Sequence, residues 1–494
     1  MALGDADALT LVASQTFELN YWTRQPPFYT WVLYGVTTLV GPSVLAVQVT
    51  KYGLMLVAAA GLLAAGWYAT GDRIRAAIGA LMVLLIFNVG FTIHDQSTHS
   101  VGLLAGLGLL FAGYARLATR GDVASFALVV VGSAVSVLAK HSGWFVVIAL
   151  PVAFLAIPGL RARVLSWRYA TAVLVFMALI TPLALFMIDN WANASEHLAQ
   201  TVRIKPEGHW LAGRLSGLAS LAGGIMILVL PLLLATAFML PDGRGRDVAS
   251  VVRVANEAVA AGLRRDVLGA FAIALALIIV VTAISVAASG AMRVPSRHVL
   301  IGVIMAGLLI AWAARADRFT PRNLAAFVLL IVGLQAGLLA IRAATYGIPG
   351  RPLCDECTHA MPIRKLAREL VARGMDRARI VTDDMTTAGN LRTHLPQLQV
   401  VALALPPQYF DDGRRFGHTA AGEPGGEAPC LLLDSESRAS LRGEPGHDFE
   451  ALMRAAAQEE HEILTLSWSN AIDGAARSSR WQLTRLPTTL EACR

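Results

Sequence analysis

Long apolar stretches recur through the first two thirds of this 494-residue chain. Each is about 17 to 25 residues long, which is enough to cross the roughly 30 Å hydrocarbon layer of a membrane as an α-helix. Because 55% of all residues are hydrophobic and only 15% are charged, an ordinary soluble protein of this size is excluded. We predict ten spans, at about residues 43–68, 74–92, 100–117, 122–139, 142–158, 168–188, 214–239, 267–288, 298–314 and 322–341.

Basic residues are distributed unequally between alternating loops. One set of loops carries fifteen arginines, at positions 73, 75, 116, 120, 161, 163, 168, 244, 246, 253, 264, 265, 315, 318 and 322. The opposite set carries six basic residues, Lys140, Arg203, Lys205, Arg214, Arg293 and Arg297. The positive-inside rule therefore predicts that the arginine-rich loops are cytoplasmic and that residues 1–42 and the tail lie outside. The net charge of +7 is explained by this topology, and we predict no nucleic-acid partner.

The chain divides into three regions by composition. Residues 1–42 are predicted to form an outer loop, residues 43–345 a multi-pass membrane domain, and residues 346–494 an outer, soluble α/β domain. In this last domain helical patterns at 363–373, 386–394 and 449–458 alternate with short apolar runs that favour strands, at 379–382, 398–404, 430–433, 462–467 and 481–485. The predicted fold class is an all-α polytopic membrane domain followed by a C-terminal soluble α/β domain.

Residues 8–19 and 28–40 are too short to span a membrane, and we interpret them as helices lying on its outer surface. Pro26-Pro27 predicts the turn between them, because proline removes a backbone donor and disfavours helix in the residue before it. A chain that starts outside needs a segment to carry it across the membrane, so we expect a first helix to be missing from this sequence. A short N-terminus that is translocated unaided is the alternative.

Three short segments on the predicted outer side carry a family resemblance. Gly4-Asp5-Ala6-Asp7 is followed by an amphipathic segment and then by Arg24-Gln25-Pro26-Pro27 before an aromatic helix. This order resembles the first outer loop of the GT-C glycosyltransferases, and in particular the bacterial family 39 branch, which is related to protein O-mannosyltransferases and to the lipid A aminoarabinose transferase. Residues 93–100 are similar to the second acidic loop of that branch, and residues 139–142 to its Ser-Lys-Tyr-type turn.

The resemblance implies a GT-C membrane fold and an inner-membrane enzyme with its tail in the periplasm. The implied reaction moves one monosaccharide from a polyprenyl-phosphate carrier to a lipid, glycan or protein acceptor, with inversion. Such a reaction needs one carboxylate that takes the acceptor proton, and Asp7 or Asp5 is the predicted base. Asp95 is predicted to orient the base or the sugar. Because Ala6 separates the two aspartates where the family has adjacent acids, the sequence leaves the choice between them open.

The phosphate of the carrier is already a leaving group and requires cations rather than a general acid. The predicted donor-binding residues are Arg24, Lys51, His94, Lys140, His141 and Arg297. Lysines and arginines at these depths also serve as interfacial anchors, and aspartates near a helix start also act as caps. His94, Asp95 and His99 have the chemistry of metal ligands without a regular zinc spacing, so we predict no resident metal or other cofactor and leave a divalent ion as the alternative.

Two other functions are compatible with this pattern. A transporter or flippase of lipid-linked substrates shares the span count and the basic outer face, but it should show paired halves with polar residues at the bilayer midplane. The sequence shows no such pairing. A catalytically inactive scaffold that presents the tail domain is the third reading. In the tail, Cys354 and Cys357 form a CxxC pair, and an oxidising compartment favours disulfides for these and for Cys430 and Cys493.

Overall fold

The protein was analysed as a computed structural model. It describes residues 3–95, 98–192, 194–195, 210–238, 254–289, 291, 299–313, 320–346, 362–382, 384–402, 429–435, 459, 461–469 and 476–486. Within these ranges, a large helical bundle precedes a small domain built on one sheet.

The bundle is made of the helices α1 to α14. They are α1 (Asp5–Ala13), α2 (Phe28–Val40), α3 (Val44–Thr70), α4 (Arg73–Met82), α5 (Ile93–Asp95), α6 (Thr98–Thr119), α7 (Val123–Ala139), α8 (Gly143–Ala156), α9 (Pro158–Val164), α10 (Trp167–Asp189), α11 (Trp210–Phe238), α12 (Val254–Ser289), α13 (Leu300–Ala313) and α14 (Pro321–Tyr346). Side-chain caps begin several of them, for example Ser43 before α3 and Asp122 before α7. As Pro26-Pro27 predicts, the chain is not helical there, and α2 begins directly after Pro27.

Six helices are long and apolar enough to cross a membrane, among the residues that the structure describes. These candidate spans are Val44–Thr70, Thr98–Thr119, Trp167–Asp189, Gly213–Ala235, Gly262–Ser289 and Pro321–Ile341. Three further predicted spans coincide with shorter apolar helices, α7, α8 and α13, of 17, 14 and 14 residues.

The segment predicted as a helical span at 74–92 is not one continuous helix, so the prediction of an uninterrupted helix there is wrong. After α4 the chain forms a 3₁₀ turn at Val83–Leu85, becomes extended at Ile86, and then forms a π-helical turn at Asn88–Thr92. Gln335 of α14 donates from Nε2 to the carbonyl oxygen of Leu84 at 3.0 Å. Breaking a helix at membrane depth frees backbone carbonyls, and a neighbouring side chain satisfies this one.

Helix α6 lies at the centre of the bundle and is buried along nearly its whole length. It can do so because its backbone comes very close to that of α3: a Cβ atom on Gly108 would lie 2.6 Å from the carbonyl oxygen of Ala58. Small residues permit this approach, and close backbone packing replaces the hydrophobic effect as the force that joins helices in lipid.

The C-terminal domain contains two described helices, α15 (Ile363–Ala372) and α16 (Met385–His394). Its strands are β1 (Arg379–Thr382), β2 (Gln399–Ala402), β3 (Cys430–Ser435), β4 (His461–Ser469) and β5 (Ala476–Leu486). The sheet order is β2-β1-β3-β5-β4, with β2, β1 and β3 parallel and β5 antiparallel to both of its neighbours. The five predicted strand segments are therefore confirmed, whereas the helix predicted at 449–458 lies outside the described residues.

Helix α1 differs from the prediction of a helix on the membrane surface. Six of its nine residues are buried, and protein rather than lipid covers them. Ala8 and Leu11 belong to the core of the bundle, while Val12 and Ala13 belong to the core of the C-terminal domain. A short amphipathic segment has the same sequence pattern in both situations, so the pattern alone does not distinguish a membrane surface from a protein surface.

Candidate active site

A buried ion pair joins α1 to the first candidate span. Lys51 is the eighth residue of α3, and its Nζ is 2.7 Å from Oδ2 of Asp7. The exposed fraction of the two side chains is 0% and 3%. A charged pair that is removed from water is costly unless it is well hydrogen-bonded, and ionisable groups within spans usually serve a function. Lys51 therefore does not extend to the membrane surface, which was the alternative reading of this residue.

The second acidic loop is held against the same lysine. Lys51 also donates from Nζ to the carbonyl oxygen of His94 at 3.3 Å. The next residue, Tyr52, places its hydroxyl 3.0 Å from Nδ1 of His94. Two predicted loops are thus brought together by consecutive residues of one helix. Asp95 ends the short helix α5, and its side chain lies outside the described residues.

Asp5 points away from this ion pair. It is exposed, and its Oδ1 accepts a hydrogen bond from Oγ1 of Thr386 in the C-terminal domain at 2.8 Å. Asp5 and Asp7 are only two positions apart, and residues at that spacing lie on different sides of a helix. One aspartate faces the bundle and the other faces the C-terminal domain, so the two carboxylates have different partners.

The predicted basic turn between α7 and α8 contacts both α6 and the first loop. Lys140 donates from Nζ to Oγ of Ser100 at 3.1 Å. Nε2 of His141 lies 2.9 Å from the carbonyl oxygen of Thr23, the residue before Arg24. These contacts bring Lys140, His141 and Arg24 to one end of the bundle, the end that also carries Asp7 and Lys51. We call it the site end.

A buried histidine connects the two halves of the site end. His99 is only 4% exposed, and its ring centroid lies 5.9 Å from that of Tyr29 and 6.5 Å from that of Trp22. The charges of Lys140 and Arg24 both act on His99, and the charge of Asp7 acts on Tyr29. The site end therefore has an acidic group, Asp7, on one side of these aromatic rings and basic groups near Lys140 on the other. We call the basic groups Lys140, His141 and Arg24 the basic pole.

Several predicted residues are not placed by these contacts. Arg297 lies outside the described residues, as do Cys354, Cys357 and Cys493. Cys430 is disulfide-bonded. Among the described residues there is no group of three or more histidine, cysteine, aspartate or glutamate side chains arranged to hold a metal ion.

Sequence reasoning missed three residues of this region: Tyr52, Ser100 and Thr386. Tyr52 is adjacent to Lys51, and its proximity to an intramembrane charge is a signal that the sequence offers. Ser100 lies at the predicted second loop, but nothing in its type distinguishes it. Thr386 is separated from Asp5 by 381 positions, and no local pattern reveals a contact at that distance.

Two curated proteins of Rhizobium johnstonii are similar to this chain. The lipopolysaccharide core galacturonosyltransferase RgtA is 26% identical over 414 residues, which cover 80% of this chain and 77% of RgtA. The lipopolysaccharide core galacturonosyltransferase RgtB is 25% identical over 202 residues, which cover 41% of each protein. No protein-family model matches the chain.

Solved structures of ArnT from Cupriavidus metallidurans are similar in fold. The apo state superposes with a TM-score of 0.51 at 13% identity and covers 97% of this chain and 94% of ArnT. The structure bound to undecaprenyl phosphate gives a TM-score of 0.49 at 15% identity, with coverage of 98% and 94%. The likeness to the apo state extends over both the bundle and the C-terminal domain. The predicted architecture, a polytopic helical domain followed by a small α/β domain, is confirmed.

Proposed function

We propose that this chain, which has the fold of the GT-C glycosyltransferases, transfers a monosaccharide from a polyprenyl-phosphate carrier to an envelope glycolipid. The observation that carries the proposal is the buried pair of Asp7 and Lys51 at the site end. The alternative transporter is less well supported, because both curated relatives are transferases.

Asp7 is the proposed general base. The hydroxyl oxygen of the acceptor attacks the anomeric carbon of the donor, the bond from that carbon to the phosphate oxygen breaks, and the polyprenyl phosphate leaves with the bonding electrons. The proton of the acceptor hydroxyl passes to the carboxylate of Asp7. Attack from one face inverts the anomeric centre. Because Asp7 is only 2% exposed, the acceptor reaches it only after neighbouring side chains move.

Lys51 is proposed to act on the base rather than on the donor phosphate. Its ammonium is engaged by Asp7 and by the carbonyl oxygen of His94. An opposite charge at this distance favours the ionised form of a carboxylate, which is the form that accepts a proton. This assignment changes the role that the sequence suggested for Lys51, which was phosphate binding.

The basic pole is proposed to bind the donor. Lys140 and Arg24 are basic side chains, and the ring of His141 is held by the carbonyl oxygen of Thr23. These groups suit a phosphate oxygen, which accepts charge-assisted hydrogen bonds. Asp95 and Arg297 remain proposed members of the site on the strength of the family resemblance.

The transferred sugar is proposed to be a hexuronic acid and the acceptor a lipopolysaccharide core. The names of RgtA and RgtB support both assignments. A uronic acid on a phosphate carrier bears two negative groups, its carboxylate and its phosphate, and a site end with several cations suits such a donor by charge. This proposal narrows the predicted monosaccharide to a hexose derivative.

The site end and the C-terminal domain are proposed to face the periplasm of the bacterial inner membrane. The unequal distribution of basic loop residues supports this orientation. The disulfide bond of Cys430 supports it independently, because disulfides persist in oxidising compartments.

Mass spectrometry of the lipopolysaccharide core tests this function. A strain that lacks the gene is complemented with the wild type, with Asp7→Asn or with Asp5→Asn, and the amount of each protein in the membrane is measured. We expect one hexuronic residue to be absent from the core without the gene, and we expect the wild type to restore it and Asp7→Asn to leave it absent. Full restoration by Asp7→Asn contradicts the assignment of the base, and an unchanged core in the deletion strain contradicts the acceptor.

A further inference from the structure

The C-terminal domain makes a dense set of polar contacts with the segment that carries Asp7. Asn390 of α16 accepts a hydrogen bond at Oδ1 from the backbone nitrogen of Leu3 at 2.5 Å, and donates from Nδ2 to the carbonyl oxygen of Leu3 at 3.0 Å. One side-chain amide thus satisfies both backbone groups of Leu3, as a neighbouring strand would. Asn390 is 1% exposed, so neither bond competes with water.

Asp5, at the start of α1, lies beside the N-terminal end of α16. Asp384 caps α16 by accepting hydrogen bonds from the backbone nitrogens of Thr386 and Thr387. The hydroxyl of Thr386 then donates to Asp5 at 2.8 Å. A helix N-terminus carries a partial positive charge, and it favours a carboxylate in this position. Asp5 therefore anchors the start of α1 to the start of α16.

Backbone packing between α1 and α16 is equally close. A Cβ atom on Gly389 would lie 2.2 Å from the carbonyl oxygen of Ala8, so only glycine fits at this position without movement. Three residues further along α16, Arg392 donates from Nη1 to the carbonyl oxygen of Leu11. Burial lowers the pKa of Arg392 to about 10.

The contact continues beyond the end of α1. Gln15 donates from Nε2 to the carbonyl oxygen of Val400 at 3.1 Å, and its Oε1 accepts from the backbone nitrogen of Val400 at 3.0 Å. Val400 belongs to β2, the strand at the edge of the sheet. The side chain of Gln15 pairs with this edge in the manner of another strand, which fixes the C-terminal end of α1 as Asn390 fixes its N-terminal end.

A helix as short as α1 does not hold its own position. It has nine residues, and isolated helices shorter than about 12 to 15 residues are marginal in water. Its orientation is set by what packs on each side: the bundle contacts Asp7, Ala8 and Leu11, and the C-terminal domain contacts Leu3, Asp5 and Val12.

We propose that α16 is a positioning element of the active site, and that Asp5, Thr386 and Asn390 are positioning residues that hold Asp7 against Lys51. This inference rests on the proposed function of Asp7. It assigns a role in the reaction to the C-terminal domain, and it separates the two aspartates: Asp7 acts on the acceptor and Asp5 anchors the helix. Asp5→Asn is therefore expected to retain transfer, since an amide oxygen still accepts from Thr386.

The docking is tested by hydrogen–deuterium exchange on the purified full-length chain. Thr386→Val keeps the shape of the side chain and removes the donor to Asp5, whereas Thr386→Ser keeps the hydroxyl. We expect the amides of residues 3–13 to exchange about ten- to a hundredfold faster in Thr386→Val, because a hydrogen bond to a charged group is lost, and near the wild-type rate in Thr386→Ser.

Thr387→Val is the matched control. The hydroxyl of Thr387 donates at 2.5 Å to Asp384, the N-cap of α16, so this variant removes a side-chain hydrogen bond at the start of the same helix. We expect its faster exchange to be confined to residues 385–394. Equal acceleration of residues 3–13 in both valine variants contradicts a specific contact and overturns the proposal.

The effect on the reaction is measured in the complemented strains by mass spectrometry of the lipopolysaccharide core. Transfer that falls about tenfold in Thr386→Val and is retained in Thr386→Ser, Asp5→Asn and Thr387→Val supports positioning. Wild-type transfer by Thr386→Val, with residues 3–13 released, overturns the positioning role and leaves the proposed function intact. Wild-type transfer by Asp7→Asn would instead contradict the proposed function, in which Asp7 is the base. In that case the hydrogen–deuterium exchange data still decide whether α16 holds α1 in place.

Discussion

The ammonium of Lys51 and the carboxylate of Asp7 lie 2.7 Å apart although 44 positions separate them in the chain. The two residues belong to different helices, and neither side chain reaches solvent. An ion pair in this position is expensive to form and more expensive to break, because removing one partner leaves the other charge buried alone.

Substitutions of this pair should be strongly coupled. We expect Lys51→Met to lower the free energy of unfolding by about 3 to 5 kcal/mol, and Asp7→Asn to lower it as well, since each leaves an uncompensated buried group. The double variant should recover most of this loss, because no isolated charge remains. Thermal unfolding in detergent measures the coupling. If the losses of the two single variants simply add in the double variant, the pair is not coupled.

Enlarging Gly389 should separate α1 from the C-terminal domain. The added methyl group of Gly389→Ala would overlap the carbonyl oxygen of Ala8, and overpacking of this kind costs about 1 to 3 kcal/mol. We expect lower thermal stability and reduced transfer. Gly333→Ala is the control, since a Cβ atom there meets nothing within 4 Å. A Gly389→Ala protein as stable and as active as the control contradicts the observed close approach.

Removing the side-chain donor of Gln335 should weaken the broken segment that precedes His94. Gln335→Met keeps the length of the side chain and leaves the carbonyl oxygen of Leu84 without this donor, at a cost of about 1 to 3 kcal/mol. We expect faster proteolysis or amide exchange in residues 83–95. Thr282→Val serves as the control, because its hydroxyl donates to the carbonyl oxygen of Ile278 within its own helix.

Stability should depend on pH through Asp122, at the start of α7. Arg116 donates to both oxygens of its carboxylate and Ser125 donates to one, and these bonds hold the pKa of Asp122 well below its usual range. Since the folded-state pKa is lowered, the stabilisation is complete above the ordinary pKa of about 4 and is lost as the pH falls through the folded-state value.

Asp122→Asn is therefore expected to be less stable than the wild type at pH 7, and the difference should shrink as the pH falls below about 4. Unfolding temperatures measured for both proteins between pH 3 and pH 7 provide the comparison. A difference that stays constant across this range would show that the charge of Asp122 does not stabilise the fold.

Local patterns in the sequence predicted the elements of this fold well. Runs of β-forming residues marked every strand, and Pro26-Pro27 marked the start of α2, because each depends on neighbours in the chain. The interruption of the span at 74–92 was not predicted. Its apolar residues satisfy the length requirement of a helix, while the partner of a carbonyl oxygen in the broken segment, Gln335, lies far along the chain.

The sequence predicted which residues belong to the candidate site, but it did not predict which of them contact one another. Charged residues in or beside spans directed attention to Lys51 and Lys140, since such residues are costly in lipid. The family resemblance of the first outer loop directed attention to Asp7. Lys51 pairs with Asp7 rather than with a phosphate, and Asp5 bonds to Thr386. Both contacts depend on the position of α1 between the core of the bundle and the core of the C-terminal domain. Packing of that kind is a long-range property, and hydrophobic periodicity does not encode it.

The bond between Leu3 and Asn390 also bears on biosynthesis. It joins residues 387 positions apart, so the segment with Leu3 must wait for a helix that the ribosome makes 387 residues later. At about 5 to 20 residues per second, the delay is roughly 20 to 80 s. During that time the helices are inserted into the bilayer while the segment with Asp7 lacks half of its final surroundings. The segment with Asp7 therefore acquires its final surroundings only after α16 has been made and the C-terminal domain has folded onto α1.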